Sequence, residues 1–194
     1  LKILAAKIRL NSIRAMHSCG GGHVGGVLSL AELLAVLYGA VMDYDPKIPD
    51  LDSRDKLVLS KGHCGPALYA VLALSGFFPT EELCTLNRGG TRLPSHCDMN
   101  KTPGLDMTTG SLGQGSSLAA GLALGKKLMG KQGNVYLILG DGECNEGQVW
   151  EMTMFAKQRG LDNLIALIDW NHQQLDGDTQ KICGLGDIGA IFAS

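Results

Sequence analysis

The sequence predicts an α/β fold, a doubly wound and mostly parallel sheet with helices on both faces. Two apolar runs, at 135–139 and 164–169, have the length and β-branched content of strands buried on both faces. A helical stretch expected over 146–159 separates them, which makes a strand–helix–strand unit. We expect one domain over residues 1–194 without an internal boundary. It is expected to be incomplete at both ends, because the chain opens on Leu1 and closes inside a continuing element.

The elements before this unit are predicted from the spacing of apolar residues and from glycine-rich loops and capping residues. Apolar residues at helical spacing near the start of the chain predict a first helix with one buried stripe. A glycine-rich loop at 20–26 follows, and then Ser29 and Glu32 match a capping box that predicts a second helix start. The buried face of that second helix is expected to comprise Leu30, Leu33, Leu34, Leu37, Tyr38 and Val41.

The middle of the chain alternates short elements with connections. Residues 43–55 are charged and contain two prolines, which is typical of a surface connection, and 56–60 reads as a short strand. Pro66 suits the first turn of a helix that ends near residue 75, and Thr80 is expected to cap a short helix.

A long stretch without periodicity and one further helix are expected between residue 87 and the strand that begins at 135. Residues 87–110 lack periodicity, and loops of that length in compact domains are often functional. The next helix is expected over 116–129, with Leu118, Leu122 and Met129 on its apolar side.

The motif that carries chemistry is Gly-Asp-Gly at 140–142. It follows the first long strand, and Asn171 lies thirty residues after Asp141, just beyond the next strand. Ligands of open parallel sheets bind beyond the carboxyl ends of the strands. Magnesium takes oxygen ligands and usually keeps substrate phosphates among them. The sequence therefore predicts a divalent-metal site against a diphosphate, with Asp141, Asn171 and a loop carbonyl near Gln173 as ligands.

The composition of the chain and the spacing of its glycines exclude several other classes of protein. The glycine spacing after residue 139 does not match the dinucleotide fingerprint, and no P-loop is present. The net charge of −2 gives no basic footprint for nucleic acid. No apolar run is expected to reach the roughly 18 residues of a membrane span, and no secretory signal is visible. We therefore expect a cytoplasmic protein whose six cysteines are free thiols, without nucleic-acid or membrane partners.

The motif and its surroundings resemble the thiamine diphosphate motif of transketolase. The resemblance covers nearly the whole chain and is carried by the string GDGECNEGQVWEMTMFAKQRGLDNLIALIDWNHQQLDG and by three upstream stretches, at 21–38, 59–77 and 93–125. EGQVWEMTMFA and HVGGVLS are more similar to the split transketolases, whose amino-terminal half is a separate polypeptide. The resemblance implies a thiamine diphosphate-binding fold that uses Mg²⁺, or Ca²⁺ or Mn²⁺ in its place.

The resemblance also implies roles for individual residues. His63 would contact the diphosphate and assist proton transfers, whereas His23 and His96 would face substrate oxygens, which makes these three the expected catalytic residues. Glu146 is either a first-turn residue favoured by the helix dipole or a member of a carboxylate network at a subunit interface. The expected cofactor-binding residues are His63, Gly110, Leu112, Gly142, Glu146 and Asn171.

The implied activity is transfer of a two-carbon ketol unit from a ketose phosphate to an aldose phosphate, as in the pentose phosphate pathway. It would require a carboxy-terminal, pyrimidine-binding partner subunit, in a heterotetramer with two copies of each chain. Two alternatives are another thiamine diphosphate enzyme, such as a deoxyxylulose-phosphate synthase or a 2-oxo-acid dehydrogenase alpha chain, and a non-catalytic binding module. Departures from the family pattern at Val24 and Ser95 leave the donor and acceptor sugars open, including sulfonated ones.

Overall fold

The computed structural model describes residues 1–193 and contains a three-stranded parallel sheet. Its strands are β1 (Lys56–Leu59), β2 (Val135–Gly140) and β3 (Leu164–Asp169), in that spatial order. Every residue of the central strand β2 is buried. In the register of β2 and β3, Gly140 lies opposite Asp169, so the carboxyl ends of the two strands meet at one edge of the sheet.

Eight α-helices and several short turns account for most of the remaining described residues. The helices are α1 (Lys2–Ser18), α2 (Val24–Ser29), α3 (Ala31–Val36), α4 (Gly65–Leu74), α5 (Gln114–Leu128), α6 (Gly147–Arg159), α7 (Thr179–Cys183) and α8 (Ile188–Ala193). A π-helical turn spans Leu37–Val41, and 3₁₀ turns span Gly62–Cys64, Thr80–Thr85 and Gly142–Asn145. The two-residue strands β4 (Gln173–Gln174) and β5 (Gly177–Asp178) pair as a small hairpin.

Helices cover both faces of the sheet, which confirms the predicted fold class. Successive residues of a strand point to opposite faces. Tyr136 and Ile138 of β2 pack into the core formed with α1, α3 and α4. Val135, Leu137 and Leu139 pack into a second core with α5 and α6.

The predicted capping box at Ser29 and Glu32 is wrong. Helix α2 already begins at Val24, inside the predicted glycine loop, and Ser29 is its last residue. The Ser29 side chain instead contacts the Gly26 carbonyl and the Asp169 carboxylate. The Ser29 hydroxyl, which the local sequence predicted to cap a helix, therefore makes a tertiary hydrogen bond to Asp169 instead.

Two apolar faces also differ from the expectation. Val41 is half exposed, because it ends the π-helical turn rather than continuing the helix face. On α5, Leu118 and Met129 are exposed and Leu122 is only partly buried. The side that packs on the sheet consists of small residues, Gly115, Ser116, Ala119, Ala120 and Ala123, together with Lys126. Small side chains let a helix lie close to a sheet, so size rather than hydropathy decides this face.

The boundaries of the remaining elements agree with the sequence to within a few residues. Pro66 lies in the first turn of α4, and Gly160 ends α6 in the left-handed conformation with φ of 55°. The short turn at 80–85 begins at Thr80, but Pro79 holds the capping position and Thr80 forms no capping bond. Residues 87–110 contain no helix or strand.

One segment contradicts the expectation about apolar length. Val24–Val41 has 18 residues with a mean hydropathy of 1.9, and by length and composition it is apolar enough to cross a membrane. Ser29 and Glu32 interrupt its apolar sequence, so the segment contains no uninterrupted apolar run of that length. Leu30 and Leu34 are fully buried in the protein, and a core helix passes the same test of length and composition.

A buried ion pair ties the surface connection to the sheet at the end opposite the motif. Arg54 and Asp106 are almost fully buried, and the guanidinium donates to both carboxylate oxygens, at 2.5 and 3.1 Å. Asp106 also accepts from the backbone N–H of Leu57, at the start of β1. The Arg54 Nε donates to the Pro49 carbonyl. The predicted connection at 43–55 is thus anchored by its one buried cation.

We expect Asp106→Ala to destabilise the domain by about 3–5 kcal/mol, because it leaves the Arg54 charge buried without its partner. Chemical denaturation followed by circular dichroism measures the change. Asp162→Ala is the matched control, since that carboxylate pairs with Lys127 on the exposed surface, and it should leave the unfolding midpoint unchanged. Equal midpoints for Asp106→Ala and the parent would contradict this role.

Candidate active site

A cavity of about 780 Å³ opens at the carboxyl ends of the three long strands. Its volume lies within the range of small-molecule sites. All ten residues that the sequence predicted for the site line it, from loops that are far apart in the chain. They are His23, His63, His96, Gly110, Leu112, Asp141, Gly142, Glu146, Asn171 and Gln173.

Asp141 lies at the end of β2 and organises the loop that follows β3. Its carboxylate is buried, with one oxygen accepting from the backbone N–H of Gly142 at 3.0 Å. The other oxygen accepts from the backbone N–H of His172 at 2.9 Å and from the Thr179 hydroxyl at 3.2 Å. The proposed metal ligand therefore also holds the backbone next to Asn171 in place.

The loop after β3 has an uncommon backbone conformation at this contact. His172 has φ of 61°, in the left-handed region that residues other than glycine seldom adopt. The Asn171 amide oxygen accepts from the backbone N–H of Gln173 at 2.9 Å, and its amide nitrogen lies 3.4 Å from the Ser29 hydroxyl. Both ends of the Asn171 amide are thus engaged, and its orientation in the cavity is fixed.

The three loop histidines meet at one side of the cavity. The rings of His23 and His63 have centroids 4.8 Å apart. Burial, reinforced by the nearby His23, Lys61 and His96, lowers the pKa of the His63 imidazole to about 4. His63 is therefore neutral at neutral pH and able to accept a proton. His23 and His96 are more exposed, and His96 contacts the Ser95 hydroxyl through Nδ1 at 3.2 Å.

Glu143 is a functional candidate that the sequence reasoning missed. Its carboxylate is buried, and one oxygen accepts from the Ser60 hydroxyl at 2.5 Å and from the Gly113 N–H at 2.8 Å. The other oxygen accepts from the Gly140 N–H at 3.1 Å. The end of β1, the loop before α5 and the end of β2 are therefore joined by one side chain. Gly115 packs so closely here that an added Cβ would lie 2.4 Å from the Ser60 hydroxyl oxygen.

Lys61, which is buried, and Asp169, which is largely buried, form a second charged cluster that the sequence did not predict. The Lys61 ammonium pairs with the Asp169 carboxylate and also donates to the Gly26 carbonyl at 3.2 Å. The Ser29 hydroxyl donates to the same Asp169 oxygen at 2.5 Å. The sequence does contain a signal for Asp169, because this residue ends an apolar strand just as Asp141 follows one.

The glycines of the cavity are close to neighbouring side chains. An added Cβ at Gly142 would lie 2.8 Å from the Gln174 Cβ, and one at Gly110 would lie 3.2 Å from the His96 ring. Glu146 is exposed and precedes α6, and its Cβ would meet a Cβ added at Gly113. Leu112 is 41% exposed and presents an apolar surface at the cavity wall.

The donor set fits a hard divalent cation and a diphosphate. Within residues 1–193, no three or more His, Cys, Asp or Glu side chains are grouped so as to hold a metal ion. An ion here would depend on the Asp141 carboxylate, the Asn171 amide oxygen and backbone carbonyls, and such oxygen sets suit Mg²⁺. Backbone N–H groups and imidazoles along the same cavity are suitable donors to a diphosphate.

Comparisons with known proteins identify the family. The model of the thiamine diphosphate-binding domain of transketolase matches residues 2–193. A protein of Clostridium sp. (strain MSTE9), named as a 6-deoxy-6-sulfo-D-fructose transketolase subunit, is 57% identical over 175 residues, which cover 90% of this chain and 64% of that protein. A protein of Phocaeicola vulgatus, named as one of the subunits of an apulose-4-phosphate transketolase, is 37% identical over 185 residues, covering 95% of this chain and 66% of that one.

A solved structure agrees with these matches. The transketolase from Leishmania mexicana superposes with a TM-score of 0.93 at 30% identity, over 98% of this chain and 30% of that one. This chain therefore spans just under two thirds of the two subunit relatives and under a third of the solved transketolase. The chain belongs to the transketolase family, and residues 2–193 correspond to the thiamine diphosphate-binding domain of that family.

Proposed function

We propose that this chain is the cofactor-binding part of a split transketolase, which moves a two-carbon ketol unit from a ketose to an aldose. The observation that carries the proposal is that Asp141, Asn171 and the three histidines share one cavity. The matched share of the relatives supports a transketolase divided between two polypeptides, because the relatives that are named as subunits are matched over about two thirds of their length.

Asp141, Asn171 and a carbonyl near Gln173 would hold the divalent ion, for which we propose Mg²⁺, with Ca²⁺ or Mn²⁺ able to replace it. His63 would contact the diphosphate, and so would the Gly142 backbone N–H, which would then share its proton between Asp141 and the diphosphate. Thiamine diphosphate, when bound, supplies an electron sink for cleavage of the carbon–carbon bond next to the ketose carbonyl. The protein then has to bind, orient and move protons.

The remaining cavity residues divide these tasks. Neutral His63 would accept and return protons, since its lowered pKa leaves it unprotonated at neutral pH. His23 and His96 lie at the more exposed side and would donate to hydroxyl and carbonyl oxygens of the sugar. Gly110 and Leu112 would lie against the rings of the cofactor. Glu146, which is exposed beside α6, would face the neighbouring subunit.

The proposed partner is a pyrimidine-binding chain, with two copies of each chain in the assembly. The names of two relatives support a partner, because both are named as subunits of a transketolase. The family match and the names of the relatives support ketol transfer over the synthase and dehydrogenase alternatives. A non-catalytic module would have no need for the five convergent side chains.

For the donor we propose a ketose that carries an anionic group at its far end, either a phosphate or a sulfonate. The relative with 57% identity is named for 6-deoxy-6-sulfo-D-fructose, which favours the sulfonated donor. Transfer of carbons 1 and 2 to an aldose acceptor would leave a four-carbon aldose that keeps the sulfonate. The carbon–carbon bond broken in the donor is replaced by one formed to the acceptor, so no oxidant or reductant is required.

We expect turnover only when the chain is combined with its pyrimidine-binding partner. The assay follows the aldose released from 6-deoxy-6-sulfo-D-fructose and from fructose 6-phosphate, with glyceraldehyde 3-phosphate as acceptor. Faster release from the sulfonated ketose would support the proposed donor. Robust ketol transfer by the isolated chain would contradict the dependence on a partner.

Asp141→Ala should weaken retention of thiamine diphosphate in the complex by at least about a hundredfold, because even outer-shell changes at metal sites cost 10–100-fold. Equilibrium dialysis with Mg²⁺ measures it. Asp178→Ala is the matched control, since it removes a carboxylate from the same loop that only caps α7. Equal retention by the parent and Asp141→Ala would show that the ligand assignment is wrong.

The lowered pKa of His63 predicts loss of stability in acid. The pKa is about 4 in the folded chain and about 6.5 in an unfolded one, so between these values the unfolded chain binds the extra proton. The free energy of unfolding should therefore fall as the pH decreases from 6.5 towards 4. His63→Gln should lessen that fall, as measured by urea denaturation at pH 7 and pH 5. The same fall in both proteins would rule out this titration.

A further inference from the structure

An asparagine ligand differs from a carboxylate in that its two ends are chemically different. A metal ion needs the amide oxygen, whereas the NH₂ end only donates. A half-turn of the Asn171 side chain would therefore turn a ligand into a repulsive group. The following inference rests on the metal site proposed above, and it concerns which residue prevents that half-turn.

The Ser29 hydroxyl is arranged as a hydrogen-bond acceptor for the NH₂ end. Its single proton has a charged acceptor in Asp169, 2.5 Å away, and charged acceptors form the stronger bonds. The Asp169 carboxylate is itself held by the buried Lys61 ammonium. With the proton committed to Asp169, the lone pairs of the Ser29 oxygen remain for the Asn171 Nδ2, at 3.4 Å.

We propose that Ser29 is a positioning residue for the metal site, which acts by fixing the orientation of the Asn171 amide. The Gln173 N–H donates to the amide oxygen from the other side, and an amide oxygen keeps a second lone pair for the ion. The chain of contacts runs from Lys61 through Asp169 and Ser29 to Asn171. Helix α2 also carries His23 at its amino-terminal capping position, so this series of contacts also fixes one wall of the substrate cavity.

A purely structural role for Ser29 is the competing explanation. Its hydroxyl lies 3.1 Å from the Gly26 carbonyl of its own helix, a local contact common for serine. That role would affect the stability of α2 but would not distinguish an amide ligand from a carboxylate ligand.

The first measurement is Mn²⁺ affinity in the presence of thiamine diphosphate, on the chain assembled with its partner, with free ion counted by electron paramagnetic resonance. Ser29→Ala should weaken Mn²⁺ binding by about tenfold, the size of an outer-shell effect. It should fold, because the Lys61–Asp169 pair remains. Ser29→Thr, which keeps the hydroxyl, should bind like the parent. Ser12→Ala is the matched control, since this serine is buried in α1 and donates to the Ile8 carbonyl.

The second measurement is a double-mutant cycle with Asn171→Asp. A carboxylate has two equivalent oxygens, so an orientation role for Ser29 disappears in that background. Ser29→Ala should then change the Mn²⁺ affinity by less than about twofold. The same tenfold loss in both backgrounds would show that Ser29 acts through packing and would overturn the inference.

The parent complex separates this inference from the proposed function. If the parent binds Mn²⁺ together with the cofactor and Ser29→Ala binds equally well, the inference fails while the metal site stands. If the parent binds no Mn²⁺ with the cofactor present, the metal site fails and the inference fails with it.

Discussion

The contact on which the site depends is the one between the buried Asp141 carboxylate and the loop that follows β3. Three donors converge on this side chain, two of them backbone N–H groups, and the His172 N–H is one of them. His172 adopts a left-handed conformation that has to be held by its surroundings. The same carboxylate therefore serves the fold and, by our proposal, the ion. Two neighbouring strand ends become one site only because this contact joins them.

Two further carboxylates, one buried and one largely buried, extend this arrangement. Glu143 joins the end of β1 to the loop before α5, and Asp169 joins α2 to the Lys61 ammonium. The loop of Gly110 and Leu112, the end of β2 and the helix that follows His23 are thus each held by one of these two carboxylates. Burying a charge is costly unless donors or opposite charges surround it. These carboxylates meet that condition with donors from different segments, and so they fix the relative positions of the loops.

Much of this architecture followed from the sequence, because strand order and site position depend on local signals. The apolar run at 135–139 and the Gly-Asp-Gly that follows it placed Asp141 and Gly142 at the cavity, and the family resemblance placed the histidines there. The failures have a common physical reason. Ser29 was assigned to a helix cap because Glu32 lies three residues later, yet its hydroxyl contacts Asp169, 140 residues away in the chain. Periodicity likewise favoured Leu118 for the core, whereas the close approach of α5 to the sheet required alanine and glycine.

The close packing of Gly115 on Ser60 matters for engineering this domain. Replacing helical glycine by alanine is a common way to raise thermal tolerance, since it reduces the freedom of the unfolded chain. Gly121, in the same helix, has no neighbouring atom within 4 Å of an added Cβ and is open to that change. At Gly115 an extra methyl group would displace the Ser60 hydroxyl and, through it, Glu143 and the loop before α5. Two glycines of one helix, six positions apart, thus differ: alanine at Gly121 meets no neighbouring atom, whereas alanine at Gly115 would disturb the cavity at the carboxyl ends of the strands.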